Sequence, residues 1–356
     1  VIVLVGALAQ PGLRAALDLS GPPVQLRGRL ERGGRAGIDR DGWPELVQSD
    51  DPLLGMAVED SPALTRYAKV MGLQPHAVQG HAVLGIGAGG QGDALPEALR
   101  DALAAEIARQ ILDADPSTDP DLLAWRLPMT GIWAASRLRA QAMAPSGQGV
   151  VAPRGAGAVT ALARHQPFLG YFGVARNDLT HALHQGGTSA PMTREAFLMG
   201  DAAVLLPWDP VRDRVLVIEQ FRFAPALRGD PQPWLLEPIA GRVDAGETPE
   251  AAILREAREE AGLQVTRLVP ALHSYPSPGA VCEFLYQYVG IADLPDGIAG
   301  IHGLEGEAED IRGHLMDRAA LSALVDAGQI TNGPLALLSL WLDARADRLR
   351  GEPASA

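Results

Sequence analysis

The residues best placed to do chemistry lie in one stretch, GRVDAGETPEAAILREAREEAGL, from Gly241 to Leu263. It holds six acidic residues, and Glu256, Glu259 and Glu260 crowd its end. Spacings of three and four put these carboxylates on neighbouring positions of a helix, where like charges repel. Arg255 can pair with Glu259 four residues on, which leaves Glu256 and Glu260 facing each other without an internal partner. A hard dication takes oxygen ligands and would turn that repulsion into binding. A solvated surface helix is the plainer reading of an acidic run. Here, however, the preceding loop has glycine at both ends, Gly241 and Gly246, and delivers Glu247 to the helix start.

The elements that must hold these groups are also legible. Thr248 suits an N-cap, Pro249 the first helical position and Gly262 the C-terminal stop, which predicts a helix over about 249–261. Ile253, Ala257 and Ala261 lie on one face and can pack inward. AAVLLPW and RVLVIEQFRF read as strands joined at Asp209-Pro210, WLLEPIAG leads into the acidic stretch, and EFLYQYVGI is a later strand. DRAALSALVDAG and GPLALLSLWLDARADRL are amphipathic helices. Earlier in the chain, VIVLVGALA (1–9), VQLRGRL, LLGMAVED and HAVLGIG read as short strands, with Gly21-Pro22-Pro23 and Asp50-Asp51-Pro52 as punctuation. Helical periodicity follows in PEALRDALAAEIARQIL and TGIWAASRLRAQAM. APSGQGVVAPRGAGA is the linker candidate.

The chain has 356 residues, enough for two domains. A net charge of −13 repels polyanions and argues against nucleic-acid or membrane-surface binding. The longest apolar run, Val1 to Ala9, is far short of the ~20 residues a membrane helix needs. Cys282 is the only cysteine, so no disulfide forms within the chain, which fits a reducing cytoplasm. The eight histidines are scattered without zinc-ligand spacing. A phosphate-bearing substrate would therefore need local cations, from arginine or a metal.

The acidic stretch resembles the Nudix box, G-x5-E-x7-R-E-U-x-E-E-x-G-U. Gly241, Glu247, Arg255, Glu256, Glu259, Glu260, Gly262 and Leu263 are in register, with Ala257 as a small apolar variant. Residues 165–345 are similar to the ADP-ribose pyrophosphatase branch of that family. The segments GDAAVLLPWDPVRDRVLVIEQFR, PWLLEPIAGRVDAGE, SPG and HGLEGEAEDI carry the similarity. Pro278 lies where a proline tends to mark ADP-ribose specificity. The resemblance implies an α/β protein with a C-terminal Nudix α/β/α sandwich. It also implies Mg²⁺, with Mn²⁺ as the alternative, and cleavage of ADP-ribose or a related nucleotide-sugar diphosphate. Metal would be held by the Ala240 carbonyl, Glu256, Glu260 and Glu309. Glu307 would be the general base, with Glu259 and Arg255 also in the catalytic set. Arg194 and Arg222 would bind phosphate oxygens, with Pro278 and Glu283 facing substrate. Asn177 stands where some relatives have a tyrosine that stacks on adenine; Phe172 or an aromatic of a partner subunit is the substitute. A homodimer is expected. A Nudix-fold sensor that binds without cleaving is the alternative from another functional class.

The front of the chain resembles the γ-glutamylcyclotransferase-like fold, through VGALAQPGL and WPELVQSDDPLLGMAVED. Val5-Gly6-Ala7-Leu8 lacks the tyrosine of that fold's turn, and Met71 stands where its base glutamate belongs. The expected organisation is a non-catalytic α+β domain over 1–90, a helical connector over 91–143, a linker over 144–164 and the Nudix domain over 165–350.

Overall fold

A computed structural model describes residues 1–144, 147, 149–152, 154–302 and 310–351. The chain divides into two compact units. Residues 1–200 and 244–246 form the first, and residues 201–243 and 247–356 the second.

In the first unit the elements are β1 (Ile2–Leu4), α1 (Pro11–Ala16), β2 (Pro23–Glu31), β3 (Glu45–Val58), α2 (Pro62–Val70), β4 (His76–Val78) and β5 (His81–Leu84). They are followed by α3 (Glu97–Asp113), α4 (Pro120–Trp125), α5 (Leu127–Ala142), β6 (Val159–Leu169), β7 (Gly173–His181) and β8 (Met192–Leu198). The first five strands form a sheet in the order β2-β3-β1-β5-β4. The Gln79 side-chain amide bonds both the N–H and the C=O of Arg27 at 3.0 and 2.8 Å, so the β4–β5 turn meets the far edge of the same sheet. The expected strand over Val1–Ala9 stops at Leu4, because Gly6 takes a positive φ and Gly6–Ala9 wind into a 3₁₀ turn. Asp50-Asp51-Pro52 does not interrupt the chain as expected; β3 runs through it. There β3 has passed the reach of β1, which pairs only with Met56–Val58, and an edge tolerates proline. Met71 is fully buried with Leu64, Tyr67 and Val70 in the core under α2. Among the described residues, strands β6-β7-β8 form a separate three-stranded sheet, which falls in this unit. The compact-unit break falls at Gly200.

The second unit contains β9 (Ala202–Asp209), β10 (Arg214–Phe221), α6 (Phe223–Arg228), β11 (Trp234–Glu237), β12 (Ile239–Arg242), α7 (Pro249–Ala261) and β13 (Arg267–Pro270). Then come β14 (Leu285–Ile291), β15 (Ile301–His302), β16 (Ile311–Asp317), α8 (Arg318–Asp326), α9 (Gly333–Asp343) and α10 (Ala346–Gly351). Its mixed sheet has the path β13-β14-β9-β10-β16-β15, with β11 on β10 and β12 on β9. Central β9 reads as an unbroken apolar run because both its faces are covered. Ala203 and Leu205 pack toward α7, while Val204, Leu206 and Trp208 pack toward α8 and α9. The unit is thus a helix–sheet–helix sandwich. Pro238 splits WLLEPIAG into two strands with different partners, and Ala344-Arg345 splits the last expected helix in two.

The β9–β10 turn is held by charge. Asp209, 2% exposed, accepts hydrogen bonds from the N–H groups of Val211, Arg212 and Leu294 and pairs with Arg212. Asp213 accepts from Arg318, from Arg350 and from the Trp208 indole. The hydrogen bond from Arg318 outweighs burial and lowers the Asp213 carboxyl to about 2. The unfolded chain therefore takes up this proton at a higher pH than the folded one, so the stabilisation is complete above about 4 and lost as pH falls toward 2. Because Asp213 is partly exposed, solvent screens the contribution. Thermal melts of the wild type and Asp213→Asn should converge between pH 4 and pH 2, with the variant less stable at pH 7. Parallel curves across that range would remove Asp213 from the acid response.

Candidate active site

Helix α7 forms as its caps dictate. The Thr248 hydroxyl accepts from Ala251 N–H at 3.1 Å, Pro249 opens the helix and Gly262 closes it at φ +59°. Such a cap contributes about 1 kcal/mol. Ala252, Ile253, Ala257 and Ala261 are buried against the sheet; burying Ile253 alone contributes roughly 2 kcal/mol.

The same packing presses two carboxylates onto β12. Glu260 is only 4% exposed, and its Oε2 accepts from the Ala240 N–H at 3.4 Å. Glu256 lies so close to Gly241 that a Cβ there would stand 1.9 Å from Glu256 Oε1. Glycine is therefore required at 241 for close approach. Arg255 does more than pair with Glu259: it reaches Glu256 at 2.8 Å, Glu259 at 3.0 Å and Glu247 at 3.2 Å. The expectation that Glu256 has no internal partner is corrected by that contact. Burial lowers the affinity of Arg255 for its proton, but the Glu247 hydrogen bond and the charges of Glu256 and Glu247 raise it further, so the cation is fixed. One guanidinium thus ties the loop glutamate to two helix glutamates.

Other sequence-selected residues fall in different surroundings. Arg222, after β10, forks onto Glu237 with contacts of 2.6 to 3.1 Å. Glu237 is 5% exposed, and sequence reasoning passed over it. The antiparallel register sets Ile218 opposite Glu237 and Phe221 opposite Trp234, so Arg222 reaches back along the β10–β11 pair to meet Glu237. Glu283 is half-buried; burial raises its carboxyl, the Arg242 charge opposes that, and the Asp201 charge adds to it. Arg242 and Asp201 were likewise not singled out. Pro278 sits in an exposed turn closed by Ala280 N–H and Val281 N–H on the Ser277 carbonyl. Arg194 lies exposed on β8 in the first unit, opposite Asn177 of β7, and donates to the Thr193 carbonyl. Phe172 packs edge-on against Tyr171. Glu307 and Glu309 lie outside the described residues.

Among the described residues, no three His, Cys, Asp or Glu side chains converge to hold a metal by themselves. The metal-ligand groups gathered at β12 and α7 are carboxylate oxygens, the hard donor class that suits Mg²⁺ rather than a soft metal.

The NUDIX domain family model matches residues 199–334, which include all of β12 and α7. The chain is 41% identical over 194 residues to the ADP-ribose pyrophosphatase of Escherichia coli (strain K12), an alignment spanning 54% of this chain and 92% of that protein. The chain belongs to the Nudix family. The ADP-ribose pyrophosphatase of Haemophilus influenzae is 38% identical over 183 residues, covering 51% of this chain and 84% of that one. The GDP-mannose pyrophosphatase of Yersinia pestis (strain Pestoides F) is 34% identical over 152 residues, covering 43% of this chain and 75% of its own length. As a Nudix pyrophosphohydrolase, the chain uses α7 as its Nudix helix, and the contacts of Arg255 and Gly241 explain why the box fixes those residue types.

Proposed function

We propose that the chain hydrolyses the pyrophosphate bond of ADP-ribose to AMP and ribose 5-phosphate in a Mg²⁺-dependent reaction. The observation that carries this reading is the convergence of Glu256 and Glu260 on the Ala240–Gly241 backbone. A divalent cation held by the Ala240 carbonyl, Glu256, Glu260 and Glu309 would supply positive charge to the phosphate oxygens. Glu307 takes the proton of the water whose oxygen attacks phosphorus, while the bridging P–O bond breaks. Arg255 keeps Glu256 and Glu259 in place. Arg222, whose Nε and Nη2 are held by Glu237, turns its Nη1 edge to a phosphate oxygen, and Arg194 presents a planar fork. Pro278 and Glu283 face the substrate. In this reading residues 165–350 carry the chemistry in a homodimer, with the cyclotransferase-like region over 1–90 as a non-catalytic accessory. Met71 supports that role, since a buried thioether cannot move a proton.

The Yersinia relative favours a second reading, in which another nucleotide-sugar diphosphate is the better substrate. Competing ADP-ribose against GDP-mannose in one reaction decides between them. We expect kcat/KM for ADP-ribose to exceed that for GDP-mannose at least tenfold, a difference of about 1.4 kcal/mol in transition-state binding. A reversed ratio would move the assignment to the second reading.

A further inference from the structure

The first unit contains a largely buried cation that meets no carboxylate among the described residues. Arg126, between α4 and α5, is 9% exposed. Its Nε donates to the Gly170 carbonyl at 2.7 Å, and among the described residues its two terminal nitrogens have neither a hydrogen-bond acceptor nor a carboxylate partner. Other buried charges are treated differently: Glu106, Asp209 and Glu237 each meet an arginine. A buried charge is costly unless paired, so this exception calls for a partner from outside the chain. Burial alone, with no opposing carboxylate, makes the Arg126 guanidinium easier to deprotonate than usual.

Beside Arg126 lies a cavity of ≈ 20 Å³, also lined by Gln110, Thr130 and Trp133, with Leu123 and Leu198 among its apolar walls. Gln110 Nε2 is buried there without a hydrogen-bond partner. Thr130 belongs to the first turn of α5, a helix of 16 residues whose N-terminus has no side-chain cap. The positive end of that helix adds to the field. A water needs about 10–15 Å³, so the space takes a small occupant. The polar residues around it are Arg126, Gln110, Gln166, Thr130 and Trp133, which between them offer a guanidinium, two amides, a hydroxyl and an indole. A water would satisfy the donors and leave the charge unmatched.

We propose that this cavity binds one small monovalent anion of halide size, held by the terminal nitrogens of Arg126 and by Gln110 Nε2, with the Thr130 hydroxyl donating as a third ligand. Bound there, the anion neutralises the cation that fastens the β6–β7 turn, through Gly170, to the α4–α5 junction.

The test uses the full chain at constant ionic strength, with sodium gluconate exchanged stepwise for sodium chloride or bromide. A saturable rise in Tm of about 3 °C is expected with either halide. Arg126→Gln should abolish the response, and Gln110→Leu, which removes one donor and keeps Arg126, should weaken it. Crystals grown in bromide should show one anomalous peak between Arg126 and Gln110. Equal Tm in gluconate and halide, an undiminished response in Arg126→Gln, or a cavity without the bromide peak would each overturn the proposal. Should Arg126→Gln fail to fold, Gln110→Leu and the bromide map still decide it.

Discussion

Glu260→Gln is expected to lower the kcat for ADP-ribose about 10³-fold while leaving the fold intact. The substitution keeps a carbonyl oxygen that can accept the Ala240 N–H and removes only the negative charge. Losing one anionic metal ligand forfeits several kcal/mol of transition-state stabilisation, and about 4 kcal/mol corresponds to the stated rate loss. In chelator the charge has no such use. Glu260 is then a buried carboxylate one turn from Glu256, so Tm in EDTA should stay level or rise as their repulsion eases. Rate and melting temperature therefore move independently. Near-normal Mg²⁺-dependent turnover in this variant would remove Glu260 from the metal site.

Gly241→Ala should be nearly as damaging by a different route. The new methyl would sit 1.9 Å from Glu256 Oε1 and 2.3 Å from its Cγ, so the side chain must leave its place. No charge is deleted, yet the carboxylate is displaced by more than the ~1 Å that can cost 10²-fold in rate. We expect kcat to fall about 10²-fold. The Tm should change by only a few degrees, since Glu256 can swing toward solvent and the core residues of α7 are untouched. Full activity in this variant would mean that Glu256 acts from a position other than the one packed on β12.

These two residues show how far the sequence could be read. The limits of α7 were legible to the residue because its caps are local signals: Thr248, Pro249 and Gly262 act within one turn. Arg255 was seen pairing four residues ahead, but its contact with Glu247 depends on the loop folding back, which spacing does not encode. Glu237 was invisible because its partner, Arg222, reaches it only by folding its side chain back across the β10–β11 pair. The front of the chain misled where one residue overrode a pattern. VIVLVGALA has the composition of a strand, yet Gly6 turns it into a 3₁₀ segment. Asp50-Asp51-Pro52 looks like a turn, yet β3 accommodates it beyond β1. The Nudix box also gave no hint of Arg126, whose isolation is a property of packing alone.

The most direct measurement is the product analysis of ADP-ribose incubated with the full chain, with Mg²⁺ and with excess chelator. Phosphorus NMR resolves substrate, AMP and ribose 5-phosphate in one tube. AMP and ribose 5-phosphate in equal amounts are expected with Mg²⁺, and unchanged ADP-ribose in chelator. ADP-ribose that is bound but stays intact with Mg²⁺, or cleavage that proceeds equally in chelator, would contradict Mg²⁺-dependent hydrolysis.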